Sequence, residues 1–329
     1  MTAADAHPYS SLTPDAVLDA LERVGLRGDG RLLALGSYEN RVYQVYLEDA
    51  APVVVKFYRP ARWSDAQILE EHELVAELAE REIPVVAPLG VSGRTLNEHS
   101  GFRFAVYPRR AGRPPDLEDC ATLEWIGRFI GRIHAVGATK PFAERPAIDI
   151  ASFGVEPRDW LLAHDFIPPD LLDAWRSVVD LALASARRCY ERAGDVRAIR
   201  LHGDCHAGNI LWTAEGPHFV DFDDARTGPA IQDLWMLLSG DRTAMTRQFM
   251  DVLAGYEDFA DFDRRELALV EALRTLRLIH YAAWLARRWG DPAFPAAFPW
   301  FNTQRYWQDR VLELKEQVAL MDEAPIELR

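Results

Sequence analysis

A chain of 329 residues, 49% hydrophobic and 27% charged, has room for one large or two modest domains and the balance of an ordinary soluble globular protein. Its 37 lysines and arginines against 51 acidic residues leave a net charge of −14, which works against bulk binding to nucleic acid or to an anionic membrane surface. No apolar run approaches the roughly 20 residues of a membrane span, and the N-terminal MTAADAHPYS carries no basic-then-apolar secretory pattern. Three widely spaced cysteines, Cys120, Cys189 and Cys205, suit reduced thiols better than a disulfide frame or a zinc site. A cytoplasmic monomer that binds neither nucleic acid nor membrane is the expectation.

Residues 11–25 predict a short amphipathic helix, with Thr13 as cap, Pro14 in the first turn and Val17, Leu18, Leu21 and Val24 on one face. Strand-like runs follow at Arg31–Leu35, Arg41–Leu47 and Pro52–Tyr58, the first two separated by Gly-Ser-Tyr-Glu-Asn. Residues 64–82 read as a helix that stops before Ile83-Pro84, and further strands are expected near Val85–Val91 and Phe102–Tyr107. Residues 108–117, PRRAGRPPDL, have the proline and arginine content of a linker. Beyond it helical periodicity dominates, at 120–136, 169–193, 230–239, 243–258, 263–289 and 303–321, interrupted by short apolar pairs at 199–223. The expectation is an α+β protein: a strand-rich N-lobe over 1–107, a hinge at 108–117, and a larger, mainly helical C-lobe over 118–329.

The densest chemical signal is Leu201-His202-Gly203-Asp204-Cys205-His206-Ala207-Gly208-Asn209-Ile210-Leu211-Trp212. A carboxylate and an amide five residues apart in a polar loop can address one centre. Asp204 can accept the proton of an attacking hydroxyl, and the Asn209 oxygen can coordinate magnesium. Shortly downstream, His218-Phe219-Val220-Asp221-Phe222-Asp223-Asp224 ends an apolar stretch in carboxylates, as a rigid element does when it delivers one to a metal. Asp221 is the preferred ligand, with Asp223 as the alternative because side chains two apart on a strand share a face.

Lys56 closes the valine run, where it can reach phosphates, and Glu70, Glu71 or Glu73 of the following helix can fix its amine. Glu71 is preferred because it shares a face with Leu74 and Leu78. The turn Gly36-Ser37-Tyr38-Glu39-Asn40 is a plain hairpin turn or a cover over nucleotide phosphates, with Ser37 making the approach. Backbone groups at Val106-Tyr107-Pro108 could meet an adenine edge between walls supplied by Val55 and Ile210. Asp233 reads as a helix cap or anchor. The acidic residues Glu257, Asp258, Asp261 and Asp263 are either plain surface charge or an attraction for a cationic acceptor.

HGDCHAGNILW followed by FVDFDDA resembles the aminoglycoside phosphotransferase and choline kinase branch of the protein-kinase-like fold. GSYENRVYQV, the ILEEH helix and the cysteine of HGDCHAGNILW are similar in particular to its bacterial stress-response serine/threonine protein kinases. The resemblance implies a bilobal fold and an ATP- and magnesium-dependent transferase. Asp204 would be the proton acceptor, Asn209 and Asp221 the metal ligands, Ser37 an ATP contact, and Lys56 with a helix glutamate the phosphate-positioning pair. The chain departs from ordinary protein kinases: the cover has no glycine-rich pattern, Asp223 stands where D-F-G has glycine, and no A-P-E segment follows. The acceptor, a protein or a small alcohol such as an amino alcohol, sugar or aminoglycoside, is left open.

Overall fold

The computed structural model describes residues 7–327; the first six residues of MTAADAHPYS lie outside it. Helix α1 (Pro14–Arg23) starts where the Thr13 hydroxyl accepts the Ala16 N–H at 3.2 Å, and buries Val17, Ala20 and Leu21. Strands β1 (Gly28–Leu35), β2 (Arg41–Leu47) and β3 (Val53–Phe57) lead to α2 (Asp65–Glu80), which opens on a reciprocal Ser64/Gln67 capping box. Two short strands follow, β4 (Asn97–His99) and β5 (Phe102–Pro108).

The strand expected at Val85–Val91 does not form; this stretch makes only isolated bridges, Val85 to Phe219 and Val91 to Arg94. Pro88 has no N–H to give a ladder, which confines the run to scattered pairing despite its valines. The edge strand is β4 instead.

Next come α3 (Cys120–Gly137), a π-helical turn at Ala151–Val155 that runs into α4 (Glu156–Ala163), and α5 (Pro169–Ala193). The polar stretch beyond it holds β6 (Ala198–Leu201), β7 (Ile210–Thr213), β8 (Gly216–Phe219) and β9 (Arg226–Pro229). Helices α6 (Ile231–Trp235), α7 (Arg242–Tyr256), α8 (Val270–Arg287), the short α9 (Ala293–Ala297) and α10 (Gln304–Asp322) complete the order. The single helix expected over 263–289 divides, because Asp263 caps a tighter turn at Arg264–Leu269 ahead of α8. Among the described residues no helix is long and apolar enough to cross a membrane.

The chain forms two compact units. The first holds the residues up to Pro114 together with Gly208–Asp223 and Asp291–Ala293. Its antiparallel sheet runs β1-β2-β3-β5-β4. Alternation along β3 sends Val53, Val55 and Phe57 into a core with Val17, Leu21, Phe102, Phe104 and Val106. Tyr58, with Ala105 of β5, packs against Trp63 and Ile68 in a separate cluster. The linker after β5 is held to β7 by paired backbone bonds, Arg113 N–H to Trp212 O at 3.1 Å and Trp212 N–H to Arg113 O at 2.7 Å.

The second unit holds Pro115–Ala207, Asp224–Gly290 and Phe294 onward. Here β6 pairs with β9 among the helices. Helices α3 and α7 approach closely because Gly127, Gly131 and Gly255 lie at their contact: a Cβ on any of them would strike the carbonyl of Val252, Tyr256 or Glu124 respectively. Cys120, Cys189 and Cys205 are free thiols, the first exposed and the others buried.

Candidate active site

In the first unit the register of β3 decides what Lys56 meets. It faces Ala105 of β5, on the sheet side shared with Tyr58 and opposite to Val55. Val55 therefore belongs to the core on the other face and is not a wall beside Lys56, a correction that follows from strand alternation alone. The Lys56 ammonium lies 2.9 Å from Asp221 and 3.0 Å from Asp223. Burial opposes its charge, but the carboxylates of Asp221, Asp223 and Glu71 outweigh that and hold the amine protonated well above the ordinary lysine range. Of the three candidate glutamates on α2, Glu71 is buried, Glu70 half-buried and Glu73 exposed.

Behind the lysine, Tyr107 and Tyr58 share a hydrogen bond at 3.0 Å, Tyr58 meets His72 Nε2 at 2.7 Å, and His72 Nδ1 meets Thr95 at 2.9 Å. Burial pushes both phenols upward, so they stay neutral. The Val106 carbonyl already accepts the Leu89 N–H at 2.7 Å. Ser37 is half-buried in the turn between β1 and β2.

The β7–β8 hairpin brings Asn209 to Asp221. Its ladder pairs Ile210 with Phe219, and one step further the Val220 N–H donates to the Asn209 carbonyl at 3.0 Å. The chain then turns at Asp221 with φ +61°, a left-handed conformation that costs a non-glycine residue roughly 1 kcal/mol. Such strain collects where a side chain must be aimed. The two candidate carboxylates differ sharply: the Asp221 side chain is 53% exposed, whereas that of Asp223 is 4% exposed. Asp223 is held by Lys56, by the guanidinium of Arg62, and by the Asn40 amide at 3.2 Å. The open carboxylate is Asp221.

Several of these partners carry no pattern in the sequence. Besides donating to Asp223, Asn40 accepts the Arg59 N–H at 3.0 Å, and Arg59 and Arg41 grip the Asp291 carboxylate at 3.1 and 3.2 Å. Arg59 and Arg62 also flank Glu39, at 3.6 and 3.9 Å. The signal available was a local one: two arginines three and six residues after Lys56, and an asparagine ending the Gly-Ser-Tyr-Glu-Asn turn.

In the second unit, β6 feeds His202-Gly203-Asp204. Gly203 has φ +85°, and a Cβ there would collide with the Asp224 carbonyl, so only glycine fits. Asp233, fully buried on α6, accepts the backbone N–H groups of both His202 and Gly203 at 2.8 Å and lies 3.1 Å from His134 Nε2. It anchors the loop backbone and caps no helix, since α6 starts after Ala230 with no side-chain cap; this corrects the helix-cap expectation. Removing that carboxylate strands two buried N–H donors at a cost of about 1–3 kcal/mol each. Asp233→Ala is thus expected to lower the urea midpoint of this unit by the equivalent of about 3 kcal/mol; an unchanged midpoint would remove Asp233 from this role.

Asp204 itself is flanked by Arg277 and His206. Arg277 of α8 lies 2.7 Å from Oδ1, and His206 Nε2 is 3.5 Å from Oδ2. Burial opposes ionisation, yet the His206 hydrogen bond and the Arg277 charge hold this carboxyl well below the usual range.

A sheet-bearing unit that positions a buried lysine against an open carboxylate, and a helical unit that presents an anchored aspartate loop, together define a class. Residues 31–270 match the profile of the Phosphotransferase enzyme family (APH), and the chain belongs to that family. It is 45% identical to Stress response kinase A of Escherichia coli (strain K12) over 323 residues, 98% of each chain. The match to Serine/threonine protein kinase RdoA of Salmonella typhimurium (strain LT2) is also 45%, over 324 residues and 98% of each chain. Among solved structures, amicoumacin kinase hAmiN in complex with AMP-PNP, Ca2+ and Ami superposes with a TM-score of 0.70 at 20% identity, covering 95% of both chains. The microcompartment-associated aminopropanol kinase gives 0.70 at 17% identity, covering 94% of this chain and 97% of its own. The fold is the α+β protein-kinase-like fold, and the chain is a kinase-type phosphotransferase.

Proposed function

We propose that the protein transfers the γ-phosphoryl group of ATP, with magnesium, to a serine or threonine hydroxyl of a protein in the bacterial cytoplasm. The observation that carries this reading is the Lys56 ammonium within 3.0 Å of two carboxylates, one closed and one open to solvent. A buried cation poised beside an exposed carboxylate has the charges needed to take up a metal–polyphosphate.

Magnesium fits the donor set. Asp221 and Asn209 offer hard oxygen ligands, and the backbone bond from Val220 N–H to Asn209 C=O holds the stretch that ends at Asp221 alongside Asn209. Among the described residues no group of three or more His, Cys, Asp and Glu is placed to hold a metal. That suits an ion held by one or two protein oxygens plus substrate phosphates rather than by a full protein cage. When bound, magnesium would neutralise charge on the transferring phosphoryl group.

The remaining work falls to the chain. Lys56, kept protonated by its carboxylates, holds the nucleotide phosphates, and Glu71 keeps its amine in place. Ser37 approaches the phosphates from the turn, and Tyr107 ends the strand at the adenine side. Asp204, with its backbone tied down by Asp233, orients the acceptor hydroxyl and takes its proton as the oxygen attacks.

The protein acceptor is favoured because a relative named as a serine/threonine protein kinase is 45% identical, whereas the kinases of small molecules share the fold at 20% identity or less. The acids that might have drawn a cationic acceptor are mostly neutralised: Asp258 pairs with Arg128, Glu257 with Arg264 and Asp263 with Arg265. Incubating the enzyme with γ-labelled ATP, magnesium, protein acceptors and a panel of small alcohols tests the reading. Label is expected in serine or threonine of protein. Label only in a small product makes it a small-molecule kinase, and label in neither defeats both.

A further inference from the structure

Resting on the reading of Asp204 as the proton acceptor, the geometry points to Arg277 as the residue that selects the acceptor by charge: it favours a hydroxyl with a carboxylate close by, in a protein a serine or threonine with acidic neighbours, and turns away cationic acceptors. The Arg277 guanidinium is 2.7 Å from Asp204 Oδ1, an oxygen with no exposed surface of its own. A hydroxyl that engages that oxygen must displace or share the guanidinium. The Arg277 side chain is 37% exposed while Asp204 Oδ1 is buried, so the guanidinium covers that oxygen from the solvent side and can swing outward. The fork of N–H donors then needs another anion, and planar guanidinium geometry matches a carboxylate.

The surroundings carry the same sign. Arg226, Arg277 and Arg288 bear on His280, one turn further along α8, against Asp224. A cationic acceptor entering beside Asp204 meets like charge. One turn beyond Arg277, Tyr281 stacks on Trp284 with ring centroids 5.5 Å apart, and Arg288 lies over Trp284 at 5.1 Å.

The test compares kcat/KM for serine peptides of one neutral background carrying glutamate or lysine flanks. The same ratio is read on a matched pair of small alcohols, one bearing a carboxylate and the other an amine. The wild-type enzyme is expected to favour the anionic member by on the order of tenfold to a hundredfold, mainly through KM. Arg277→Lys should keep the direction of preference, Arg277→Ala should bring the ratio near one, and Arg277→Glu should invert it. A merely structural arginine would lower both members equally and leave the ratio where it was. A wild-type ratio at or below one, or an unchanged ratio in Arg277→Ala, overturns the inference. Turnover of the alcohols alone, with no peptide labelled, would defeat the protein-kinase reading instead, and the ratio on the alcohols would still decide the role of Arg277.

Discussion

Asp204→Ala is expected to lower kcat by about 10²–10⁴-fold, the usual worth of a positioned proton acceptor, while nucleotide affinity stays within about twofold. The separation follows from where the groups sit: the residues proposed to hold the nucleotide, Lys56, Asn209 and Asp221, belong to the first compact unit and Asp204 to the second. The fold should tolerate the change, since the partners set free, Arg277 and His206, are both partly exposed. Single-turnover kinetics with equilibrium nucleotide titration read both quantities. Turnover equal to that of the parent would remove Asp204 from the reaction.

Asp221→Ala should behave differently. Loss of the open carboxylate is expected to cut kcat/KM by about 10²–10³-fold or more and to weaken nucleotide binding measured with magnesium far more than binding measured without it. Stability should change little, because the side chain is 53% exposed and Lys56 keeps Asp223 at 3.0 Å. Asp223→Ala supplies the contrast. That carboxylate is buried and shared by Lys56, Arg62 and Asn40, so its removal should show first as lost stability. Equal loss of magnesium-linked affinity in both variants would move the metal role away from Asp221 alone.

Much of this arrangement was legible because the chemistry is local in the chain. Asp204, Asn209 and Asp221 fall within one short stretch bounded by apolar runs, and the β7–β8 ladder converts the Asn209-to-Asp221 spacing into proximity. Strand alternation fixed the face of Lys56, and helical spacing told Glu71 apart from Glu73. What escaped were contacts between residues distant in sequence. Arg62 to Asp223, Asn40 to Asp223 and Arg59 to Asp291 close long loops, and a charge pair of that kind leaves no periodic trace. Val85–Val91 misled for the opposite reason: β-branched side chains favour a strand, but the prolines around them remove the donors a ladder needs. The π-helical turn before α4 likewise has no compositional signature.

The Asn40 amide binds in two directions, nitrogen to Asp223 and oxygen to the Arg59 backbone, and its orientation cannot be reversed without losing both bonds. That pins the end of the Gly36–Asn40 turn to the stretch that carries Asp221. Any flap-like movement of the turn is therefore confined to its beginning, where Gly36 has open space around it and Tyr38 projects into solvent.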